Sequence, residues 1–338
     1  MKRLTIDILS GILLVLGFTS VVLLISGAPV LATFQNIWLG AFSSTTKISQ
    51  VLSVWVPLIL CSCGLLFTFR ANLWNIGIEG QVIMGAIGAM AALRLPGLES
   101  PTLILTLAFL ASLIGGGAWG LLAGLLKTRG GVHEIFGGLG LNFVAQGFIL
   151  WLIFGPWKRP GIASMSGTEM LPLELWLSTP PGWRVATLGL ICACAGLIIS
   201  WLFLQKSRLG LNLTAIGKNP RAAVLYNISP EGYYLLSIII GGAFAGLAGF
   251  LQITAVYHRL IPAISSGYGY LGLLLVMLAG YRITPVPFLA LFFASLNVGA
   301  IQLPIVLQLD SALSGVIQGC CVLSALLIIG LRQRRKQS

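Results

Sequence analysis

The sequence predicts an all-α membrane protein with about ten transmembrane helices, and three observations support this fold class. Of the 338 residues, 57% are hydrophobic and only 8% are charged, whereas soluble domains contain about 25% charged residues. The mean hydropathy is +0.98. The charges lie mainly at the edges of long uncharged runs, as expected where the bilayer is the solvent. This composition excludes soluble enzymes, disordered chains and nucleic-acid-binding domains, so membrane lipid is an expected partner and nucleic acid is not.

Ten uncharged runs define the predicted helices. In chain order they are 8–46, 48–69, 80–93, 100–126, 135–157, 185–205, 232–257, 260–281, 283–309 and 311–331. A spanning helix needs about 20 apolar residues, and only 80–93 is too short unless residues 75–79 help it to cross. Ten spans are therefore predicted, with eight or nine as alternatives. The first span is expected to stay uncleaved, because its apolar part, Ile8–Ile25, is longer than that of a signal peptide.

The distribution of Lys and Arg residues predicts the orientation. If the N-terminus is cytoplasmic, ten crossings return the C-terminus to the same side. Of the 20 Lys and Arg residues, 14 then lie on the cytoplasmic side: Lys2, Arg3, Arg70, Lys127, Arg129, Lys206, Arg208, Lys218, Arg221, Arg282, Arg332, Arg334, Arg335 and Lys336. Because cytoplasmic loops of membrane proteins carry an excess of Lys and Arg, we expect a multi-pass plasma-membrane protein with both termini cytoplasmic.

Two segments between spans are long enough to have functions of their own. Residues 158–184, predicted to be external, contain four prolines and two tryptophans, which favours a structured loop or a short interfacial helix. Residues 206–231, predicted to be cytoplasmic, are basic and can form a short amphipathic helix near Leu211–Ile216. A further helical turn can begin at Pro220, since proline suits a first helical position. The alternative for 206–231 is a solvated basic linker.

The densest group of polar residues at membrane depth lies at 72–81, between the second and third spans. It comprises Asn72, Asn75, Glu79 and Gln81. Such side chains are costly in a bilayer unless they meet each other, broken backbone or water. Because Gly77 and Gly80 let the chain leave helical geometry, we predict a broken or re-entrant segment that lines a translocation pathway. The alternative is that these residues only join neighbouring helices.

Two further polar groups are candidates for the same pathway. Asn142 and Gln146 lie one turn apart on the fifth span, where they can contact a polar solute or a neighbouring helix. Ser266 and Tyr268 lie in a segment rich in small and aromatic residues, 262–270, that opens the eighth span. In the predicted topology, spans 2–5 and 7–10 enter the membrane from opposite sides. They are therefore expected to form two inverted four-helix units with the pathway between them.

The sequence contains no recognisable catalytic or metal-binding constellation. Its two histidines lack metal-type spacing, and its six cysteines lie inside apolar runs, where they act as small packing residues. The closest approach to a phosphate-binding loop ends in Gly217-Lys218-Asn219, but Asn212 and Asn219 replace the required glycine and Ser/Thr. We therefore predict no catalytic residue, metal or cofactor, and any ATP-driven transport would require a separate ATPase.

Four motifs in order resemble one known family. Residues Phe69–Gln81 read FRANLWNIGIEGQ, similar to the signature FRAGLFNIGxEGQ of ABC importer permeases. The class is the simple-sugar and nucleoside branch of the ribose/branched-chain amino acid permease superfamily. The other similar segments are 131–143, 210–223 and 265–270. Two departures are Trp74, where phenylalanine is usual, and Thr214, where arginine is common.

The resemblance implies a transport function and a set of partners. It implies a single permease domain, 1–338, in a bacterial inner membrane that translocates a small polar solute, a nucleoside or simple sugar. The implied partners are a cytoplasmic ABC ATPase, a second related permease in a heterodimer, and an extracytoplasmic solute-binding lipoprotein. The external segment 158–184 resembles the longer permease of nucleoside-type pairs, which favours nucleosides. An ion- or proton-coupled secondary transporter is the alternative, and an integral membrane enzyme is disfavoured.

The matching cytoplasmic segment, 206–231, is the candidate for coupling to the ATPase. Its candidate residues are Gly217, Asn219, Pro220, Arg221, Ala222 and Ala223. Gly217 can form a tight turn, Asn219 and Pro220 can start a short helix, and Arg221 can pair with a carboxylate. The two alanines are small enough to enter a groove on a partner. A rigid element of this kind would transmit movement to the spans without contacting the solute.

Overall fold

The computed structural model describes residues 29–161 and 167–307, and a few isolated positions outside these ranges. The regular secondary structure of the described residues is helical, which confirms the predicted all-α fold class. The helices are α1 (Val30–Phe42), α2 (Thr45–Arg70), α3 (Ile78–Leu93), α4 (Pro101–Thr128), α5 (Glu134–Phe154), α6 (Thr187–Lys206), α7 (Arg208–Lys218), α8 (Pro220–Leu225), α9 (Pro230–Leu251), α10 (Tyr268–Leu278), α11 (Val286–Ala300) and α12 (Leu303–Leu307). A 3₁₀ turn, Leu173–Leu175, precedes α6, and a π-helical turn, Gln252–Tyr257, extends α9.

The apolar helices follow the predicted runs. Five are long and apolar enough to cross a membrane: α2, α4, α5, α6, and α9 with its π-helical extension. Four shorter apolar helices, α1, α3, α10 and α11, fall in the remaining described runs. The chain is therefore a polytopic membrane protein. The predicted first span, Ile8–Ile25, and the tenth predicted run, 311–331, lie largely outside the described residues, so the number of spans stays a prediction.

The chain divides into two compact units, Met1–Val54 with Leu291–Ser338, and Trp55–Ala290. In the first unit, Ile37 of α1 is buried in an apolar cluster with Ala300 and Leu303. The candidate site lies in the second unit. Because the unit boundaries differ from those of spans 2–5 and 7–10, the inverted relation between these spans also stays a prediction.

Three helices, α3, α4 and α9, form the centre of the second unit through glycine contacts. Gly246 of α9 lies directly against Gly85 of α3, where a Cβ atom would overlap the neighbouring backbone. A Cβ atom on Gly120 of α4 would lie 2.6 Å from the carbonyl oxygen of Ile238 in α9. Small residues let helix backbones approach closely, a main source of helix association in lipid.

A break separates α2 from α3, as predicted for the region near 72–81. Residues 71–77 are not helical, and α3 begins at Ile78. Asn72 has a positive φ of 57°, a conformation that asparagine adopts more readily than most residues. The chain turns there and enters α3, so that Asn75 lies within the break and Gln81 in the first turn of α3.

The described parts of the two long connecting segments are both structured. Residues 167–178 dock on the end of α9, where the amides of Thr168 and Leu171 donate to the carbonyls of Leu260 and His258 at 2.9 and 2.8 Å. The Trp176 indole stacks on the His258 ring, with centroids 3.6 Å apart. In the other segment, the helix predicted near 211–216 is present and extends over the whole of α7, while α8 begins at the predicted Pro220.

Candidate functional site

The break is held by a reciprocal pair of buried amides. Asn75 Nδ2 donates to Gln81 Oε1 at 3.0 Å, and Gln81 Nε2 donates to Asn75 Oδ1 at 3.1 Å. Asn75 is 4% exposed and Gln81 is fully buried. Each amide thus satisfies the other where the bilayer supplies no partner, and the pair joins the break to α3.

Glu79, in the first turn of α3, holds the start of α10. Its two carboxylate oxygens accept from the backbone amides of Gly267 at 3.1 Å and Gly269 at 2.9 Å. The first amides of a helix lack intrahelical partners and carry partial positive charge. A buried carboxylate satisfies both requirements, so Glu79 joins two elements that are distant in sequence.

Asn142 of α5 completes this arrangement. Its Oδ1 accepts from the amide of Gly80 at 2.8 Å, and its Nδ2 donates to the carbonyl of Ile76 at 2.9 Å and to the hydroxyl of Tyr270 at 3.0 Å. Both amide hydrogens are used. We call the four side chains that satisfy one another or nearby backbone the closed network: Asn75, Glu79, Gln81 and Asn142.

A second group of polar side chains keeps hydrogen-bonding capacity and remains accessible. Gln146 donates to the carbonyl of Pro262 at 3.1 Å, and within residues 29–161 and 167–307 its amide oxygen and second hydrogen have no other partner. The hydroxyls of Tyr257 and Ser266 are 3.0 Å apart, both on half-buried side chains. Tyr270 is 41% exposed. We call these residues the open cluster: Gln146, Tyr257, Ser266 and Tyr270.

The structure therefore places the eight pathway candidates in four locations. Asn75, Glu79, Gln81 and Asn142 belong to the closed network, and Gln146 and Ser266 belong to the open cluster. Tyr268 is buried at the first turn of α10, with 7% of its surface exposed. Asn72 is exposed and lies beside α7, away from the other candidates.

Two members of the open cluster, Tyr257 and Tyr270, were not among the sequence-derived candidates. Tyr270 lies inside segment 265–270, one of the four family-like motifs, so the sequence contained a signal that could have identified it. Tyr257 ends the π-helical turn, and His258 follows it with a positive φ of 53°. Single π-helical turns occur often at functional sites, but the sequence carries no pattern that predicts one here.

Among the described residues, no three His, Cys, Asp or Glu side chains lie close enough to hold a metal ion. The Glu79 carboxyl group, which lies beside segment 262–270, is occupied by the amides of Gly267 and Gly269. The accessible chemistry of the site is thus that of neutral donors, neutral acceptors and aromatic rings, which suits binding rather than bond-making.

Comparison with known proteins indicates a transport protein. A family model described as "Branched-chain amino acid transport system / permease component" matches residues 47–326. The chain belongs to this permease family. It is 28% identical to the guanosine ABC transporter permease protein NupP of Bacillus subtilis, over 90% of this chain and 88% of that protein.

Two further relatives support the same family. The glucose ABC transporter permease protein TsgB13 of Haloferax volcanii is 32% identical, over 83% of this permease and 76% of its own length. The guanosine ABC transporter permease protein NupQ of Bacillus subtilis is 27% identical, over 67% of this permease and 75% of its own length. Both similarities extend over two thirds or more of each chain.

The coupling candidates of the permease lie on and between α7 and α8. The Asn219 side chain caps α8 by accepting from the amide of Ala222 at 3.1 Å. Pro220 and Arg221 are exposed, whereas Ala223 is only 3% exposed and packs within the permease. Ala223 therefore supports α8 from inside.

The accessible face of α8 is apolar, which the sequence did not point to. Val224, Leu225 and Tyr226 are 57%, 86% and 80% exposed. Together with Arg221 they form a patch that we call the α8 patch. Large apolar side chains exposed in a group outside the spans are typical of a protein contact.

Gly217, near the end of α7, packs against the start of the break. A Cβ atom there would overlap the Arg70 carbonyl oxygen and lie 3.2 Å from the amide nitrogen of Asn72. Any larger residue would push α7 away from the break. The helix that precedes the α8 patch is thus in direct contact with the segment that leads to the closed network.

Proposed function

We propose that this permease is one membrane subunit of an ATP-driven importer in a bacterial inner membrane, and that its solute is a nucleoside or a simple sugar. Membership in a transport-system permease family supports the transport role. The names of its relatives, which refer to guanosine and to glucose, support the solute class.

The observation that carries the solute assignment is the open cluster. It offers one amide, one aliphatic hydroxyl and two phenolic hydroxyls, with two aromatic rings, around segment 262–270. Nucleosides and sugars are neutral molecules with several hydroxyl groups and a ring. Hydrogen bonds from neutral groups orient such solutes, while aromatic rings provide apolar contact area.

Uptake by the complete transporter tests this proposal. The permease is reconstituted in proteoliposomes with its partner permease, ATPase and binding protein, and the entry of labelled guanosine and glucose is followed. Gln146→Leu is expected to raise the KM for the transported solute by about tenfold, as for a lost substrate hydrogen bond. Gln35→Leu, which changes an exposed amide on α1, is the matched control and is expected to leave the KM unchanged.

The same vesicles distinguish the proposal from secondary transport. Concentrative uptake is expected to require both ATP and the ATPase subunit, because the permease lacks a phosphate-binding loop. Accumulation by the permease alone, driven by an ion or proton gradient, would overturn the importer proposal.

The ATPase is proposed to bind at the α8 patch. Arg221 supplies a guanidinium that can pair with a carboxylate, and Leu225 supplies an exposed apolar anchor. Force applied to α8 would pass through α7 and Gly217 to the break. This route lets ATP hydrolysis act on the closed network without any contact between ATPase and solute.

Arg221→Glu and Leu225→Ser test this contact. Both side chains are exposed, so insertion and thermal stability are expected to stay normal while solute-stimulated ATP hydrolysis falls by at least about tenfold. Arg208→Glu, an exposed charge reversal at the start of α7, is the control. Full hydrolysis by both patch variants would move the contact to another cytoplasmic segment, such as 127–133.

A second permease of the same family is the proposed membrane partner. NupP and NupQ are both guanosine ABC transporter permease proteins of one organism, and both are similar to this chain. We expect a heterodimer to form when this permease is co-expressed with its paralogue. Native mass spectrometry of the detergent-solubilised complex would distinguish a heterodimer from a homodimer.

The proposed orientation places segment 158–184 outside and α8 inside. In a cysteine-free background, Leu173→Cys, at a site 75% exposed, is expected to react with an impermeant thiol reagent added to intact cells. Asn219→Cys is expected to react only after the cells are opened. Equal labelling of the two sites would overturn the orientation.

A further inference from the structure

A pocket lies between the start of the break and the end of α7. Its lining contains no residue of the open cluster. It has a volume of about 290 Å³, and its lining includes residues from the break and from α7. This volume is close to the lower end of the range for small-molecule sites. Asn72, the pathway candidate that lies apart from the closed network, is one of its lining residues.

The pocket is strongly cationic. Arg70 and Lys218 line it, and its lining within residues 29–161 and 167–307 contains no carboxylate. Neither residue takes part in an ion pair in the part of the chain that the structure describes. The Nε atom of Arg70 is buried and has no hydrogen-bond partner there. A buried donor on a charged group is costly when unpaired, so these features favour an anionic ligand.

Three aromatic residues, Phe69, Trp74 and Tyr281, also line the pocket. The Phe69 ring lies edge-on to Trp74 with centroids 5.4 Å apart, and 5.0 Å from the Tyr281 ring. Aromatic side chains bind planar heterocycles by stacking, and this contact depends little on the identity of the heterocycle. A lining that combines two cations with three aromatic rings thus fits a molecule that has a phosphate and an organic group.

We propose that this pocket binds an organic phosphate, with the phosphate held by Arg70 and Lys218 and the organic part of the ligand in contact with the aromatic side chains. Guanidinium groups match phosphate oxygens in a two-pronged geometry, and a lysine adds a point charge. The ligand lies beside the contact between Gly217 and the Arg70 carbonyl.

The phosphate can belong to a soluble nucleotide or to a lipid headgroup, and the test separates these sources. The purified permease is placed in nanodiscs of neutral phosphatidylcholine and titrated calorimetrically with guanosine 5′-monophosphate. Saturable binding is expected. Lys218→Gln, which changes an exposed side chain, is expected to weaken binding by about tenfold, as for a lost charged hydrogen bond. Arg208→Gln, an exposed cation outside the pocket lining, is the matched control and is expected to have no effect.

A second arm replaces part of the neutral lipid by phosphatidylglycerol. If this lipid is enriched around the wild-type permease but not around the Lys218→Gln variant, the bound phosphate is that of a lipid headgroup. This result would support the anion site. Absence of Lys218-dependent binding in both arms would overturn the proposal. Since no ATPase or solute is present, failure here is separate from failure of the transport function.

Discussion

The closed network and the open cluster both contain polar groups at the predicted membrane depth. They differ in how far these groups are already hydrogen-bonded. In the closed network, Asn75 and Gln81 satisfy each other, and both oxygens of Glu79 are occupied by backbone amides. In the open cluster, the Gln146 oxygen has no partner in the part of the chain that the structure describes, and Tyr270 is 41% exposed. Polarity in a span is thus of two kinds, one that assembles the fold and one that is available to a solute.

The two regions share segment 262–270, so they are neighbours with separate roles. Glu79 holds the amides of Gly267 and Gly269, and this fixes the backbone from which Ser266 and Tyr270 extend. Tyr270 also contacts Asn142 directly. The closed network therefore positions the open cluster, in the way that supporting shells position binding residues.

The largest expected effect comes from removing the carboxylate of the closed network. Glu79→Leu leaves the buried amides of Gly267 and Gly269 without acceptors, at a cost of about 1–3 kcal/mol for each group. We expect a strong loss of folded protein, measured as the monodisperse fraction after detergent extraction. Glu79→Gln keeps one acceptor and is expected to recover part of that fraction.

This variant also decides between the two roles of Glu79. If Glu79→Leu folds with wild-type thermal stability but loses uptake, the carboxylate contacts the solute and the division between the regions fails. If stability and uptake fall together, and Glu79→Gln restores both, the carboxylate is an assembly residue.

The next effect concerns the reciprocal amide pair. Asn75→Leu and Gln81→Leu each leave one buried amide unpaired, with an expected loss of about 1–3 kcal/mol of stability. The double variant removes both groups, so its loss is expected to be smaller than the sum of the two. Thermal unfolding of the four proteins gives the coupling energy. Additive losses would show that the amides do not act as a pair.

Much of the fold could be predicted from the sequence, because long apolar runs and their charged edges directly reflect the bilayer. The break at 71–77 was predictable for the same reason, since polar residues and Gly77 interrupt an apolar pattern. The second glycine of the prediction, Gly80, lies inside α3. The second helix of segment 206–231 was signalled by Pro220, which fits the first position of α8.

The division of the polar residues between regions was not predictable. Asn142 bonds to groups 66 and 128 residues away in sequence, and such tertiary partners leave no local pattern. Asn72 and Asn75 belong to one motif, but the positive φ of Asn72 turns the chain between them, and they serve different surfaces. The exposure of Leu225 beside a buried Ala223 likewise depends on how α8 packs.

A smaller effect is expected from the hydroxyls of the open cluster. Tyr257→Phe and Ser266→Ala each remove one hydroxyl of a half-buried pair and leave the closed network untouched. We expect thermal stability within about 0.5 kcal/mol of the wild type. The KM for uptake is expected to rise several-fold, while the ATPase activity without solute stays unchanged. A large loss of stability would place these hydroxyls in the assembly of the fold.

The smallest effect is a pH dependence at the edge of the open cluster, where His258 supports the docked segment 167–178. Burial lowers the pKa of His258 below its usual range, and a hydrogen bond with Thr254 only partly opposes this. The folded state thus favours the neutral imidazole. The stability that the neutral His258 contributes is fully present above the unfolded pKa of about 6.5 and is lost as the pH falls through the folded pKa.

Acidification from pH 7.5 to 5.5 is therefore expected to loosen the amides of Thr168 and Leu171, measured by hydrogen exchange. His258→Phe keeps a ring against Trp176 but cannot titrate, and comparison at each pH cancels the intrinsic exchange rates. Equal pH dependence in both proteins would exclude His258 as the titrating group.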